Sequence, residues 1–274
     1  SYVRSFLFST KTQVTLMITK VDFLFSTYES RILELINNLP EYREDCNIVI
    51  VHQTLEPEKY ERTAAILSDR SDVLYVTQQE YGVTRSRNFA ISLSRSDYVL
   101  FCDDDVVYAD DVVNSVVESM KGRDACTFRV ASTEGGYTKK FAEVEKLHNK
   151  VSILSVGTIE IACKRLFLLS NSITFPEELG AGATYPSCDE PVFLSRIMDA
   201  GGSVAYVPKT ICSHPPDSSG LSLDSKISLI SRLIAFKYIY GKWAYFPLFL
   251  AFVLKNINKI RFSTLVQVIR HYYG

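Results

Sequence analysis

The chain has 274 residues, of which 47% are hydrophobic, 12% aromatic and 22% charged, with a net charge of −1. Such a composition buries a sizeable core and excludes a disordered, collagen-like or disulfide-scaffold protein. The near-zero charge hides an asymmetry, because residues 221–274 carry eight Lys or Arg against a single acid, Asp224, while residues 1–220 are net acidic. The basic stretch is also the most apolar one, so two physically different parts are expected, 1–220 and 221–274. Six scattered cysteines without a CxxC pair offer neither a zinc ribbon nor a redox motif and fit a reducing compartment. Ser1–Thr12 lacks the basic-then-apolar pattern of a signal peptide.

In chain order, residues 14–100 alternate between short β-rich runs and helical patterns. Val14–Ile18 and Val21–Phe25 read as strands, and Ser30–Leu39 as a helix closed by Pro40. Asn47–Val51 is a continuous aliphatic run, the mark of a strand covered on both faces. Glu58–Ser68 reads as helix, Val73–Val76 as strand, Thr84–Ser94 as helix and Tyr98–Phe101 as strand. This rhythm predicts an α/β fold with a parallel sheet and right-handed crossovers, whose ligands bind beyond the carboxyl ends of the strands. Further on, Val112–Met120 and Pro191–Ala200 read as helices, Ala125–Val130 and Val204–Val207 as strands, and Asp217–Ser222 as a linker.

The residues that bear chemistry stand where strands stop. Asp103, Asp104 and Asp105 directly follow Tyr98–Phe101 and Cys102. Three adjacent carboxylates repel one another and call for a cation, with Mg²⁺ or Mn²⁺ the natural choice, unless they form an ordinary acidic turn or helix cap. Asp103 and Asp105, one residue apart on extended backbone, face the same side. Gly82–Asn88 opens a helix with Arg85 and Arg87, a cradle suited to diphosphate, or else an ordinary Thr-capped start with solvated arginines. Asp189–Glu190 heads another helix behind the Gly-containing loop 179–185; the pair suits a general base, although acids in a first helical turn also answer the helix dipole. His214 ends a later strand and is a candidate metal ligand. His52, His148 and His271 read as fillers.

Together these segments, from about Val21 to Pro216, resemble the inverting family 2 glycosyltransferases of the GT-A fold. Phe23–Glu29 is similar to the family's first strand and nucleotide-binding turn, and Gly82–Asn88 to its G-x-x-x-x-R-N segment. Asp103–Asp105 is similar to its D-x-D signature, Asp189–Glu190 to its E-D base pair, and His214 to its late metal histidine. The resemblance implies a Rossmann-like nucleotide-diphospho-sugar transferase domain over 1–220. Thr27, Tyr28, Glu29 and Gln53 would meet the nucleoside; Arg87, Asn88, Asp103 and Asp104 would lie at the donor; Asp105, Asp103 and His214 would hold Mn²⁺ or Mg²⁺. Gln53 stands where the family has an acid, and the base pair reads D-E, so either carboxylate fits the role, with Glu190 expected as the base and Asp189 beside it. The implied reaction is transfer from a nucleotide-sugar, a UDP-sugar first, to a glycan or lipid-linked glycan in bacterial cell-surface polysaccharide assembly. A sugar-nucleotidyltransferase and a non-catalytic module of the same fold are the alternatives. The first lacks its Gly- and Arg-rich loop here, and the second would have lost carboxylates that this chain keeps.

In 221–274, Ile227, Ile230, Leu233, Ile234 and Ile239 give one helix an apolar side, and Trp243–Leu254 is apolar throughout, with Pro247 suited to a first helical turn. Twelve residues are too few for a bilayer core, which needs about 20. Basic and aromatic residues around a short apolar helix fit a segment lying on the cytoplasmic face of a membrane. A hairpin packed on the domain, or a homodimer seam, is the other reading; nucleic acid is not among the expected partners.

Overall fold

A computed structural model describes residues 20–216 and 223–273. The strand expected over Val14–Ile18 and most of the expected linker lie outside them. Four parallel strands form the first half of the sheet: β1 (Val21–Tyr28), β2 (Cys46–Gln53), β3 (Val73–Gln78) and β4 (Tyr98–Cys102), ordered β3-β2-β1-β4. Between them run α1 (Ile32–Asn38), α2 (Glu61–Ser68) and α3 (Val83–Leu93). The expected strand-and-helix alternation is present, each strand running a few residues past its apolar stretch.

The second half is mixed. The short β5 (Val107–Tyr108) and α4 (Val112–Met120) lead to β6 (Ala125–Ser132) and the two-residue β7 (Lys146–Leu147), followed by β8 (Ile161–Lys164), α5 (Arg165–Ser170), α6 (Asp189–Asp199) and β9 (Val204–His214). β8 inserts antiparallel between β4 and β6, a pairing with no counterpart in the strand pattern read above, and β9 runs parallel to β6. β9 extends well beyond Val207, and its register shifts against β6 as it bends toward the strand ends where His214 sits.

Alternation along the central strands divides the core into two layers. Phe23, Phe25, Ile48, Ile50 and Leu100 face α1 and α4 through Ile32, Leu35, Val113 and Val116. Leu24, Val49, Val51, Val99 and Phe101 face α3 and α6 through Ala90, Ile91, Phe193 and Ile197. Covered on both faces, the sheet holds its strand ends rigidly, and the loops beyond them carry the site.

The basic C-terminal part forms α7 (Lys226–Lys255) and α8 (Phe262–Tyr273). α7 is bent at Gly241, whose φ of +71° a side-chain-bearing residue would adopt only with strain. Pro247 lies inside the helical run after the bend, deeper than the first turn. The first limb packs on the α/β domain: Ala235 and Ile239 meet Leu179 and Val192, and Tyr240 donates to the Lys150 carbonyl at 2.9 Å. The second limb and α8 complete a small core with the first through Phe236, Phe249, Val253, Ile260 and Val268.

Candidate active site

A cleft of about 980 Å³ opens at the carboxyl ends of β1, β2 and β4. Tyr28, Gln53, Arg87, Asp103–Asp105, Thr158, Glu160, Asp189, Glu190 and His214 all line it. The three strand-end motifs and the helix-start carboxylates therefore share one cavity although they come from distant parts of the sequence.

Each of the three aspartates has a different neighbour. Asp104 is buried, accepts from Thr27 Oγ1 at 3.0 Å and pairs with the Arg31 guanidinium. Burial pushes its carboxyl up, against the pull of Arg31 and Thr27. Asp103, partly open to the cleft, lies 4.0 Å from Arg87 Nη2, and lost hydration pushes it up as well. Asp105 is shared: Oδ2 meets Arg31 Nη2 at 3.2 Å, and Oδ1 meets His214 Nε2 at 3.3 Å. Oδ1 is buried and has no hydrogen-bond partner among the described residues.

That orphaned oxygen beside an imidazole nitrogen is what a divalent cation would use. Among the described residues, no three His, Cys, Asp or Glu side chains gather closely enough to cage a metal by themselves. Mg²⁺ and Mn²⁺ do not require a cage, since one or two protein ligands suffice when phosphate oxygens and water fill the remaining positions. Asp105 and His214 thus fit such an ion, while Asp104 is committed to Arg31 and Thr27.

The other two carboxylates stand on α6. Cys188, in the left-handed conformation at φ +70°, turns the chain into the helix that begins with Asp189 and Glu190. A non-glycine residue in that conformation is strained, a kind of outlier that clusters at functional sites. Asp189 is buried and accepts from Arg87 Nη1 at 2.6 Å. Burial and then the adjacent Glu190 carboxylate push it up to about 7, against Arg87. Glu190 is only partly buried and accepts from Thr158 Oγ1 at 2.6 Å. The loop over α3 holds this arrangement: Thr84 donates to the Leu179 carbonyl, and Val83 N–H to that of Ala181. Gly180 is required there, because at φ +98° a Cβ would lie 2.9 Å from Thr84 and 3.0 Å from Asp189 Oδ1.

Several residues expected at the nucleoside or the donor also bond to protein groups. Thr27 is buried beneath Asp104. Glu29 accepts from Tyr81 at 2.6 Å, Thr54 at 3.0 Å and Tyr60 at 3.2 Å, and the Tyr81 bond leads in holding its carboxyl low. Asn88 bonds both backbone groups of Phe175 and does not line the cleft. Gln53 does line it, yet its amide is engaged by Gly82 N–H at 2.8 Å and Ser86 Oγ at 3.0 Å. Arg87, expected at the donor, lines the cleft but is largely buried, paired with Asp189 and set over the Phe175 ring. Tyr28 lines the cleft half exposed, edge-on to Tyr81 at 5.1 Å.

Arg31, Tyr81 and Thr158 were not singled out from the sequence. Arg31 follows a strand end by three residues, and Tyr81 precedes the Gly82 turn, so position alone offered a faint signal. Thr158 lies in an irregular segment and gave none.

The model of the family described as "Glycosyl transferase family 2" matches residues 25–170. The chain belongs to this family. Matched structures include residues 1–349 of S. aureus TarS, 14% identical, with a TM-score of 0.66 over 91% of this chain and 79% of that one. The same fragment in complex with UDP-GlcNAc is 16% identical, with a TM-score of 0.66 over 92% and 79%. A longer TarS structure is 15% identical, with a TM-score of 0.63 over 89% of this chain and 44% of that one. No curated protein sequence gives a significant match. The family 2 chain thus has the GT-A fold and is a glycosyltransferase. Its Asp103–Asp105 and Gly82–Asn88 segments fall inside the matched residues; Asp189, Glu190 and His214 lie beyond them.

Proposed function

We propose that this glycosyltransferase moves a sugar, with inversion, from a UDP-sugar to a hydroxyl of a glycan or lipid-linked glycan on the cytoplasmic side of a membrane. The observation that carries the reading is that one cleft is lined by two pairs, Asp105 with His214, which suits a cation, and Glu190 with Thr158, which suits a base. The complex of S. aureus TarS with UDP-GlcNAc supports a uridine donor.

Tyr28 and Tyr81 offer aromatic faces to the base. Asp105 and His214 would hold Mn²⁺ or Mg²⁺, which when bound neutralises charge on the diphosphate. Glu190 takes the proton of the acceptor hydroxyl, the oxygen forms its bond to the anomeric carbon, and the bond to the diphosphate breaks on the opposite side, releasing UDP. Thr158 orients Glu190, and Asp189 with Arg87 fixes the helix start that carries it.

Isothermal titration of the full chain with UDP, GDP and CDP, each with and without Mn²⁺, tests the reading. Tight binding of UDP that requires Mn²⁺ is expected. Preference for another nucleotide, or indifference to the metal, overturns the donor or the metal assignment respectively.

A further inference from the structure

Among the described residues, the C-terminal helices leave an apolar face uncovered. In the second limb of α7, Trp243 is 84% exposed, and Leu250 and Leu254 are exposed with it. At about 100° per residue, spacings of seven and eleven place both within roughly 20° of Trp243, so the three form one stripe along the helix. The buried Phe249 and Val253 lie on another side, toward the small helical core. The stripe is therefore outside the packing that holds the helix. Ile257 in the connecting turn is exposed too, and Phe262, 80% exposed, shares a side of α8 with the exposed Ile269 seven residues on.

Charge frames this face. Lys242, Lys255, Lys259 and Arg270 are all exposed around it, and Lys242 Nζ stands 5.2 Å from the Trp243 ring centroid. The sole acid of residues 223–273, Asp224, is tied to Arg261 and Thr264. A second copy of this chain would bring a like-charged face against this one, which electrostatics opposes. A surface of anionic headgroups over an apolar layer offers complementary charge and complementary apolarity together. No helix among the described residues is long and apolar enough to cross a membrane, so the fit is to the surface plane.

We propose that the Trp243–Leu250–Leu254 stripe, with Ile257, Phe262 and Ile269, inserts into the headgroup boundary of an anionic bilayer. The flanking lysines snorkel to the phosphates. The first limb of α7, packed on α6, holds the catalytic cleft at a fixed attitude to that surface. This assignment concerns the tail alone and does not depend on which nucleotide the cleft takes.

Co-sedimentation of the full chain with vesicles of phosphatidylcholine, with and without phosphatidylglycerol, tests it. Binding to the anionic vesicles that weakens in high salt is expected. Trp243→Ser with Leu250→Ser should lower the partition coefficient about tenfold or more. Replacing Lys242, Lys255 and Lys259 by Gln should lower it by roughly a hundredfold, and this all-surface variant keeps the test valid should the first fold poorly. UDP affinity measured on the same variants should stay unchanged, which separates this outcome from failure of the donor reading. Equal sedimentation of wild type and both variants overturns the proposal. So does a dimer, seen by equilibrium ultracentrifugation, that the same substitutions dissolve while vesicles go unbound.

Discussion

Arg87 and Asp189, 102 residues apart in the chain, form a buried ion pair at 2.6 Å that ties the start of α3 to the start of α6. The pair uses the guanidinium that the resemblance assigned to the donor and one of the two carboxylates assigned to the base. Glu190 also lines the cleft, partly exposed and accepting from the Thr158 hydroxyl. Two different failures are therefore expected from adjacent residues.

Glu190→Gln should cut turnover by about 10²–10⁴ while UDP affinity and thermal stability stay near wild type. Asp189→Asn removes the nearer anion of the buried Arg87 and leaves it only Asp103 at 4.0 Å, so it should lower the melting temperature. Steady-state kinetics set beside thermal melts separate the two. A stable Asp189→Asn protein with collapsed turnover, next to an active Glu190→Gln protein, would assign the base to Asp189.

Asp105 divides its carboxylate between Arg31 and His214, and the division carries a second prediction. Asp105→Asn keeps the size but weakens both the cation site and the pairing with Arg31. Mn²⁺ should then no longer strengthen UDP binding in titration calorimetry, and transfer should be lost. An enhancement by Mn²⁺ that persists in Asp105→Asn would remove the ion from this position.

Arg31 acts as a resident cation among three aspartates, one of them buried. Arg31→Ala should lower the melting temperature in the presence of a chelator, because Asp104 loses its ionic partner. Added Mn²⁺ should restore more stability to this variant than to wild type, since a ligand of the native state stabilises in proportion to its binding there. An equal response of both proteins to Mn²⁺ would show that Arg31 and the ion do not serve the same carboxylates.

The half of the fold built on β1–β4 was legible because its strands are continuous apolar runs whose ends coincide with polar motifs. Ile48–Val51 and Val99–Phe101 are buried on both faces, and periodicity needs no tertiary information to mark them. β9 was cut short at Val207, since Pro208, Lys209 and Thr210 interrupt the apolar pattern while the backbone continues through a register shift. Antiparallel β8 was hidden because Ile161–Cys163 is too short to distinguish from a buried helical turn. Within the site, residue type and position picked out side chains that share one cavity, but not the protein partner of each. Arg87, Gln53 and Thr27 bond to protein groups arriving from segments far away in sequence, and no spacing along the chain encodes those partners.

His148 provides a test of stability that is independent of the cleft. Its imidazole is bonded to Thr127 Oγ1 at 2.7 Å and Ser152 Oγ at 2.9 Å, joining β6 to the segment after β7. Burial first, and then Lys146 and Lys139, push its pKa down to about 4. The folded state thus binds the proton less readily than the unfolded chain, where an imidazole titrates near 6.5. Its stabilising contribution is present above that value and is lost as pH falls through about 4. The ring is partly accessible, so the loss should be on the order of 1–2 kcal/mol after solvent screening. Urea unfolding of wild type and His148→Gln across this range should show the wild type losing its advantage between about pH 6.5 and 4. A difference between the two proteins that does not change with pH would mean that His148 enters the folded state with its ordinary affinity for the proton.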